Sequence, residues 1–229
     1  MFGANLIVLH YNLYIMATYE QGLLGTFKGK VGNIVGSNWR DIDILRSLPR
    51  KPNKPASEKQ LAQRLKFSMA VDFLSPMRKA IRISPQGKQK SKTDFNEALT
   101  IVMKNMEGEY PDFIIPFKAV VFTKGSLMNI LPLVDTKSEG EIKLSWSSRL
   151  GYGATENDVI HVIVYNGLLK DFFSFNAVKR SDAEYTLYAD EIGNGPIHIW
   201  TFVTAANGTN QSNSMYCGVF ELKLANKNK

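Results

Sequence analysis

Nine residues between Trp39 and Lys66 carry the densest chemistry of the 229-residue chain. Trp39, Arg40, Arg46, Arg50, Lys51, Lys54, Lys59, Arg64 and Lys66 set one indole among eight cations. Guanidinium and ammonium groups at this density suit a phosphate backbone or an acidic protein surface. The charge count agrees. From Lys28 to Lys92, sixteen Lys/Arg face four acids, for a net +12, whereas Thr93 to Lys229 carries −4. The basicity of a chain with net charge +7 therefore belongs to its first half. No helix-turn-helix, RNA-recognition or zinc-finger signature accompanies it, so any phosphate contact would be non-specific and strongly salt-dependent. A solvated helix face and a flexible basic loop would give the same counts.

Other reactive groups are sparse. Cys217 is the single cysteine, which excludes an internal disulfide and a cysteine-based zinc site. It reads as a small buried hydrophobe in a strand. The histidines are His10, His161 and His198. The last two fall on strands expected to be neighbours, where a cross-strand pair could hold a metal; a sheet-surface pair with no such role is the plainer reading. G-x-S-x-G and H-E-x-x-H motifs are missing from the sequence, and the acids form no evident general acid/base pair. The chain therefore reads as non-enzymatic, with no cofactor and no metal site expected.

The glycines of "GLLGTFKGKVGNIVGSNWR", at 22, 25, 29, 32 and 36, recur in steps of three and four, as one helix face would. Five glycines cost a helix roughly 1 kcal/mol each relative to alanine, too much for so short an element. The P-loop spacing is missing, and Lys28 and Lys30 interrupt a membrane dimer face. Extended chain remains, with glycine marking turns, bulges or a close backbone approach. Gly36-Ser37-Asn38 is the expected turn, leading into a strand over Asp41–Ser47.

Pro49, Pro52 and Pro55 then make a stiff basic connector. Ser57 and Gln60 form a capping box ahead of an amphipathic helix with Leu61, Leu65, Met69 and Phe73 on its stripe. A short helix around "SPMRKAIRI", a basic loop "SPQGKQKSK" and a second helix through Phe95, Leu99, Val102 and Met106 follow. Beyond Tyr110 the period is two. Strands are expected near Phe113–Phe117, Ala119–Thr123, Glu141–Ser148, Val159–Tyr165, Tyr185–Ala189, His198–Ala205 and Tyr216–Leu224, which suggests an antiparallel sandwich. Residues 1–15 are apolar but lack a basic n-region and a cleavage site. They read as a mis-called or flexible extension ahead of Met16, and no stretch is long enough to span a bilayer.

Two resemblances extend this reading. "EIKLSWSS" with Trp146, "DVIHVIVYN" and "IHIWTFVTAANGTNQSNSMYCGVF" resemble the second strand, third strand and last hairpin of an immunoglobulin or fibronectin type III domain. Trp200 stands where that fold often has its corner tyrosine. "GKVGNIVGSNWRDIDILRSLP" followed by "SEKQLAQRLKF" resembles a family of uncharacterised Bacteroidetes-type bacterial proteins, and such stretches also resemble phage-derived structural proteins. Neither resemblance implies an established activity. The expected fold is thus α+β: an N-terminal glycine-rich β-hairpin and basic helices, followed by an Ig/fibronectin type III-like antiparallel β-sandwich. Its parts are 1–15, then 16–110, then 111–229. The expected function is that of a structural or protein-interaction protein, cytoplasmic as synthesised, that meets a protein partner or self-assembles; nucleic-acid binding through the basic half is the alternative.

Overall fold

The computed structural model describes residues 18–19, 27–39, 42–49, 54–83, 93–136, 138–147, 149–151 and 153–223, which divide into two compact units, Met1–Ala56 and Ser57–Lys229. The expectations for residues 1–15, Gly22, Gly25 and the loop 84–92 lie outside the described residues.

In the first unit the described part of the glycine-rich run, residues 27–39, is extended, as the helix cost requires. β1 (Thr18–Tyr19), β2 (Phe27–Val31), β3 (Ile34–Trp39) and β4 (Ile42–Ser47) form an antiparallel sheet in that order. The turn differs from expectation. Val31 pairs with Ile34, so Gly32 and Asn33 are the two loop residues. Gly32 has φ 55° at the first central position, where a two-residue hairpin turn demands positive φ. Gly36, Ser37 and Asn38 lie inside β3. Gly36 serves a close approach instead: a side-chain carbon there would collide with the carbonyl oxygen of Phe27 and sit 2.9 Å from its ring. Gly36→Ala is expected to cost about 1–3 kcal/mol through this overpacking. The check is amide exchange over β3, which should quicken about tenfold or more; unchanged exchange would show that Phe27 yields freely.

The second unit begins with the capping box. Ser57 Oγ accepts from the Gln60 amide (3.4 Å) and Gln60 Oε1 from the Ser57 amide (3.0 Å). This starts α1 (Glu58–Leu74), which a 3₁₀ turn (Ser75–Met77) ends at Pro76. Thr93 Oγ1 accepts from the Asn96 amide to cap α2 (Asp94–Asn105). Of the apolar stripe on α1, Phe73 is buried, Leu65 and Met69 are half-buried, and Leu61 is exposed. The helix buries its C-terminal turns and leaves its N-terminal half in solvent.

Two antiparallel sheets follow. β5 (Leu133–Asp135), β6 (Glu141–Ser145) and β9 (Glu184–Tyr188) make a three-stranded sheet in the order β5-β6-β9. β7 (Val159–Asn166), β8 (Asp171–Lys179), β10 (Gly195–Thr204) and β11 (Met215–Leu222) make a four-stranded sheet in the order β11-β10-β7-β8. A one-turn α3 (Ala189–Ile192) links β9 to β10. On β7 and β10, Ile160, Val162, Val164, Ile197, Ile199 and Val203 share a core with Ile142, Leu144 and Leu187 of the smaller sheet. Ile163, Trp200 and Phe202 point the other way, into a second core with Phe73, Leu74, Leu99 and Val102 of the helices. The larger sheet is therefore covered on both faces.

This double burial moves the division of the chain. The pattern 16–110 and 111–229 groups the helices with the hairpin, but the contacts place them with the sheets, and the units divide at Ala56/Ser57. Two expected strands are irregular. Over Phe113–Phe117 a lone bridge joins Ile114 to Glu107, and a 3₁₀ turn (Phe117–Ala119) begins at the last of them. Thr123 makes only a parallel bridge to Arg82.

Candidate partner-binding surface

The antiparallel register of the first unit sorts its side chains onto two faces. Val35 lies opposite both Lys30 and Arg46, so two cations flank an apolar residue on one face, in the same alternation as Ile42 and Ile44. Gly36 opposite Gly29 and Leu45, with Val31 opposite Ile34, defines the other face. Neither face forms a core. Leu45 is 64% exposed, Ile42 59%, Ile34 48% and Val31 45%. All of β4 is exposed, and among the described residues it is an edge strand whose outer backbone groups have no ladder partner.

The nine basic and aromatic candidates distribute unevenly. Arg40, Arg50 and Lys51 lie outside the described residues. Trp39 ends β3, Arg46 is exposed on β4 and Lys54 is exposed beyond it, all in the first unit. Lys59, Arg64 and Lys66 belong to α1 of the second. Lys59 and Arg64 are exposed, while Lys66 is half-buried with its ammonium 4.5 Å from the centre of the Phe113 ring. That cation–π contact commits Lys66 to the fold. Charge alone missed Lys30 and the exposed apolar residues Val31, Ile34, Ile42 and Leu45. The signal for Ile42 and Leu45 was in "DIDILRS", where Ile42 and Ile44 alternate in one phase and Leu45 in the other.

The cross-strand histidine pair does not assemble. His161 faces Phe202 and His198 faces Tyr165 on β7 and β10, four positions apart, or about 13 Å along the strands. His161 Nδ1 bonds Asn176 Oδ1 (2.7 Å), and its ring stacks on Phe202 at 4.4 Å. His198 Nδ1 bonds the Tyr216 hydroxyl (2.8 Å), and its ring stacks on Phe117 at 3.7 Å. Burial lowers the pKa of both imidazoles, so both are neutral near pH 7. Among the described residues no three His, Cys, Asp or Glu side chains cluster as metal ligands. The thiol of Cys217 is half-buried and burial raises its pKa, which fits its reading as a packing residue. No helix among the described residues is long and apolar enough to cross a membrane.

A family of unknown function, DUF6266, matches residues 26–218. The chain belongs to this family. The DUF6266 match runs from the start of β2 into β11, so one family model spans residues on both sides of the division at Ala56. A search of curated proteins found no match. Among solved structures, the fibronectin type III domain of human collagen alpha-1(XX) chain is similar at 11% identity, over 45% of this chain and 92% of that one, with a TM-score of 0.34.

Proposed function

We propose that this DUF6266 protein is a non-enzymatic interaction protein whose first unit docks onto a protein surface, in the simplest case a second copy of the chain. One observation carries the reading: the β1–β4 sheet exposes large apolar side chains on both faces and ends in a fully exposed edge strand. A sheet this small, with neither face buried, is marginal by itself. An open edge of this kind accepts another strand. Arg46 and Lys30 beside Val35 would meet acidic groups at the rim of such a contact. His161 and His198 support the non-enzymatic part, since each is held by a hydrogen bond and a ring stack, as packing residues are.

In the same reading, the second unit presents a fibronectin type III-like sandwich as its scaffold. Strand order supports this: the first, second and fifth strands of the unit form one sheet, and the third, fourth, sixth and seventh the other. The helical layer on the outer face of the larger sheet is an addition to that plan.

Light scattering on the eluting full chain tests the reading. The wild type is expected to associate, and Ile42→Glu with Leu45→Glu to shift it to monomer. Each lost apolar contact removes about 2 kcal/mol, or roughly thirtyfold in affinity. A wild type that stays monomeric at high concentration overturns self-association. A mobility shift with duplex DNA at low salt that disappears at high salt, with no association, would favour the nucleic-acid alternative instead.

A further inference from the structure

Beside the end of α1, the helical layer stops short of the far end of the four-stranded sheet. A cavity of about 330 Å³ opens there. Its floor is a row across three strands: Asn176 on β8, His161 on β7 and Phe202 on β10 are successive cross-strand partners. Ser174, two residues from Asn176 along β8, and Thr204, two residues from Phe202 along β10, also line it. Its wall is the segment that leaves α1, with Met77 and Ala80 supplying hydrocarbon and Lys79 and Arg82 supplying charge.

Three features set this cavity apart from an ordinary packing gap. First, its charge is one-sided: among the described residues two cations and no acid line it, and neither Lys79 nor Arg82 forms an ion pair there. Second, Arg82 is held in place through its backbone. Its amide donates to the Phe122 carbonyl (2.8 Å), and its own carbonyl accepts from the Lys124 amide (3.2 Å) and from the Gln211 side chain. The guanidinium is thus presented from a fixed point and forms no hydrogen bond or ion pair among the described residues. Third, the polar floor is incompletely satisfied. Asn176 Oδ1 accepts from His161 Nδ1, which leaves Nε2 as the acceptor, and that atom is buried with no hydrogen-bond partner.

We infer that this cavity is a binding site for a small organic carboxylate bearing a hydroxyl group. The planar fork of Arg82 suits a carboxylate, with Lys79 as the second positive charge. Phe202, Met77 and Ala80 take the apolar body, and the hydroxyl donates to the Ser174 or Thr204 oxygen beside the His161 ring. The site lies wholly within the second unit and does not depend on the docking role of the first.

The test uses the full chain and 4-hydroxybenzoate as probe, followed by the His161 ring proton signals. Saturable shifts are expected, and Arg82→Gln should weaken binding about tenfold. Lys79→Gln, at an exposed side chain, should weaken it by a smaller factor with an unchanged melting temperature, so a loss in Arg82→Gln is separable from misfolding. Benzoate, which lacks the hydroxyl, should bind more weakly than the probe. No saturable shift, equal binding by both variants and the wild type, or competition by inorganic phosphate as strong as by the probe would each overturn the assignment.

Discussion

Asp158→Ala is expected to destabilise the second unit by about 3–5 kcal/mol, the cost of leaving a buried charge unpaired. Asp158 and Arg180 are each 1% exposed, with Arg180 Nε 3.5 Å from Asp158 Oδ2. Neither group is held by the other alone. Asp158 accepts from the Thr155 amide (2.9 Å) and hydroxyl (2.7 Å). Arg180 Nη2 donates to the Met128 carbonyl (2.6 Å), and the Arg180 carbonyl accepts from the Trp146 indole (3.0 Å). Four separate stretches of chain meet at this pair, so removing the carboxylate strands a guanidinium and loosens all of them. Urea denaturation monitored through tryptophan fluorescence reads the effect. Asp158→Ala with Arg180→Met should recover part of the loss, because the orphaned charge goes with it. A single-mutant cost below about 1 kcal/mol, the scale of a solvated pair, would show that water reaches the site.

Trp200→Ala should be of similar size, about 3–5 kcal/mol. Its ring is fully buried on the helix-facing side of β10. It meets Phe122 edge-on at 5.4 Å and Tyr216 at 5.2 Å, with Phe117 and Phe172 further out. The damage should be one-sided. Amides of α1 and α2 should exchange faster, while β6, packed on the opposite face of the sheet through Ile142 and Leu144, changes least. Trp200→Phe should cost much less than the lost volume implies, because the indole Nε1 is buried without a hydrogen-bond partner and its removal relieves that penalty. Equal acceleration on both sides of the sheet would mean that the two cores unfold as one.

Local chemistry was readable from sequence wherever it acts over a few residues. Ser57 and Gln60 announced α1, the Phe95–Met106 stripe announced α2, and period two located β6, β7, β9, β10 and β11 to within a few residues. The cost of glycine in a helix excluded that state for the run around Gly29 and Gly36. What stayed hidden depends on distant partners. "DFFSFNAVK" of β8 shows no clean alternation, because Phe172 faces the helices while Phe173 and Phe175 face the other core. "DFIIPF" and "KAVVFT" have strand composition but serve as apolar connectors between the helices and the sheet; Pro116 cannot donate to a ladder. Gly36 has turn chemistry, and only the position of Phe27 reveals its other use. At the candidate surface, the cations were visible in advance. The isolation of Lys66 over Phe113, the exposed apolar pairs of the β1–β4 sheet and the cavity at Arg82 were not, since each depends on residues far away in sequence.

The sheet covered on both faces has a consequence in time. Phe73 leaves the ribosome well before Tyr165 and Phe172, the sheet residues whose rings it packs against. At roughly 5–20 residues per second, the helices spend on the order of ten seconds without the surface that buries them. The N-terminal half of the chain is thus made before its cover exists, and a newborn chain displays the apolar side of α1 to whatever chaperone or neighbour is nearest until β7 and β8 arrive.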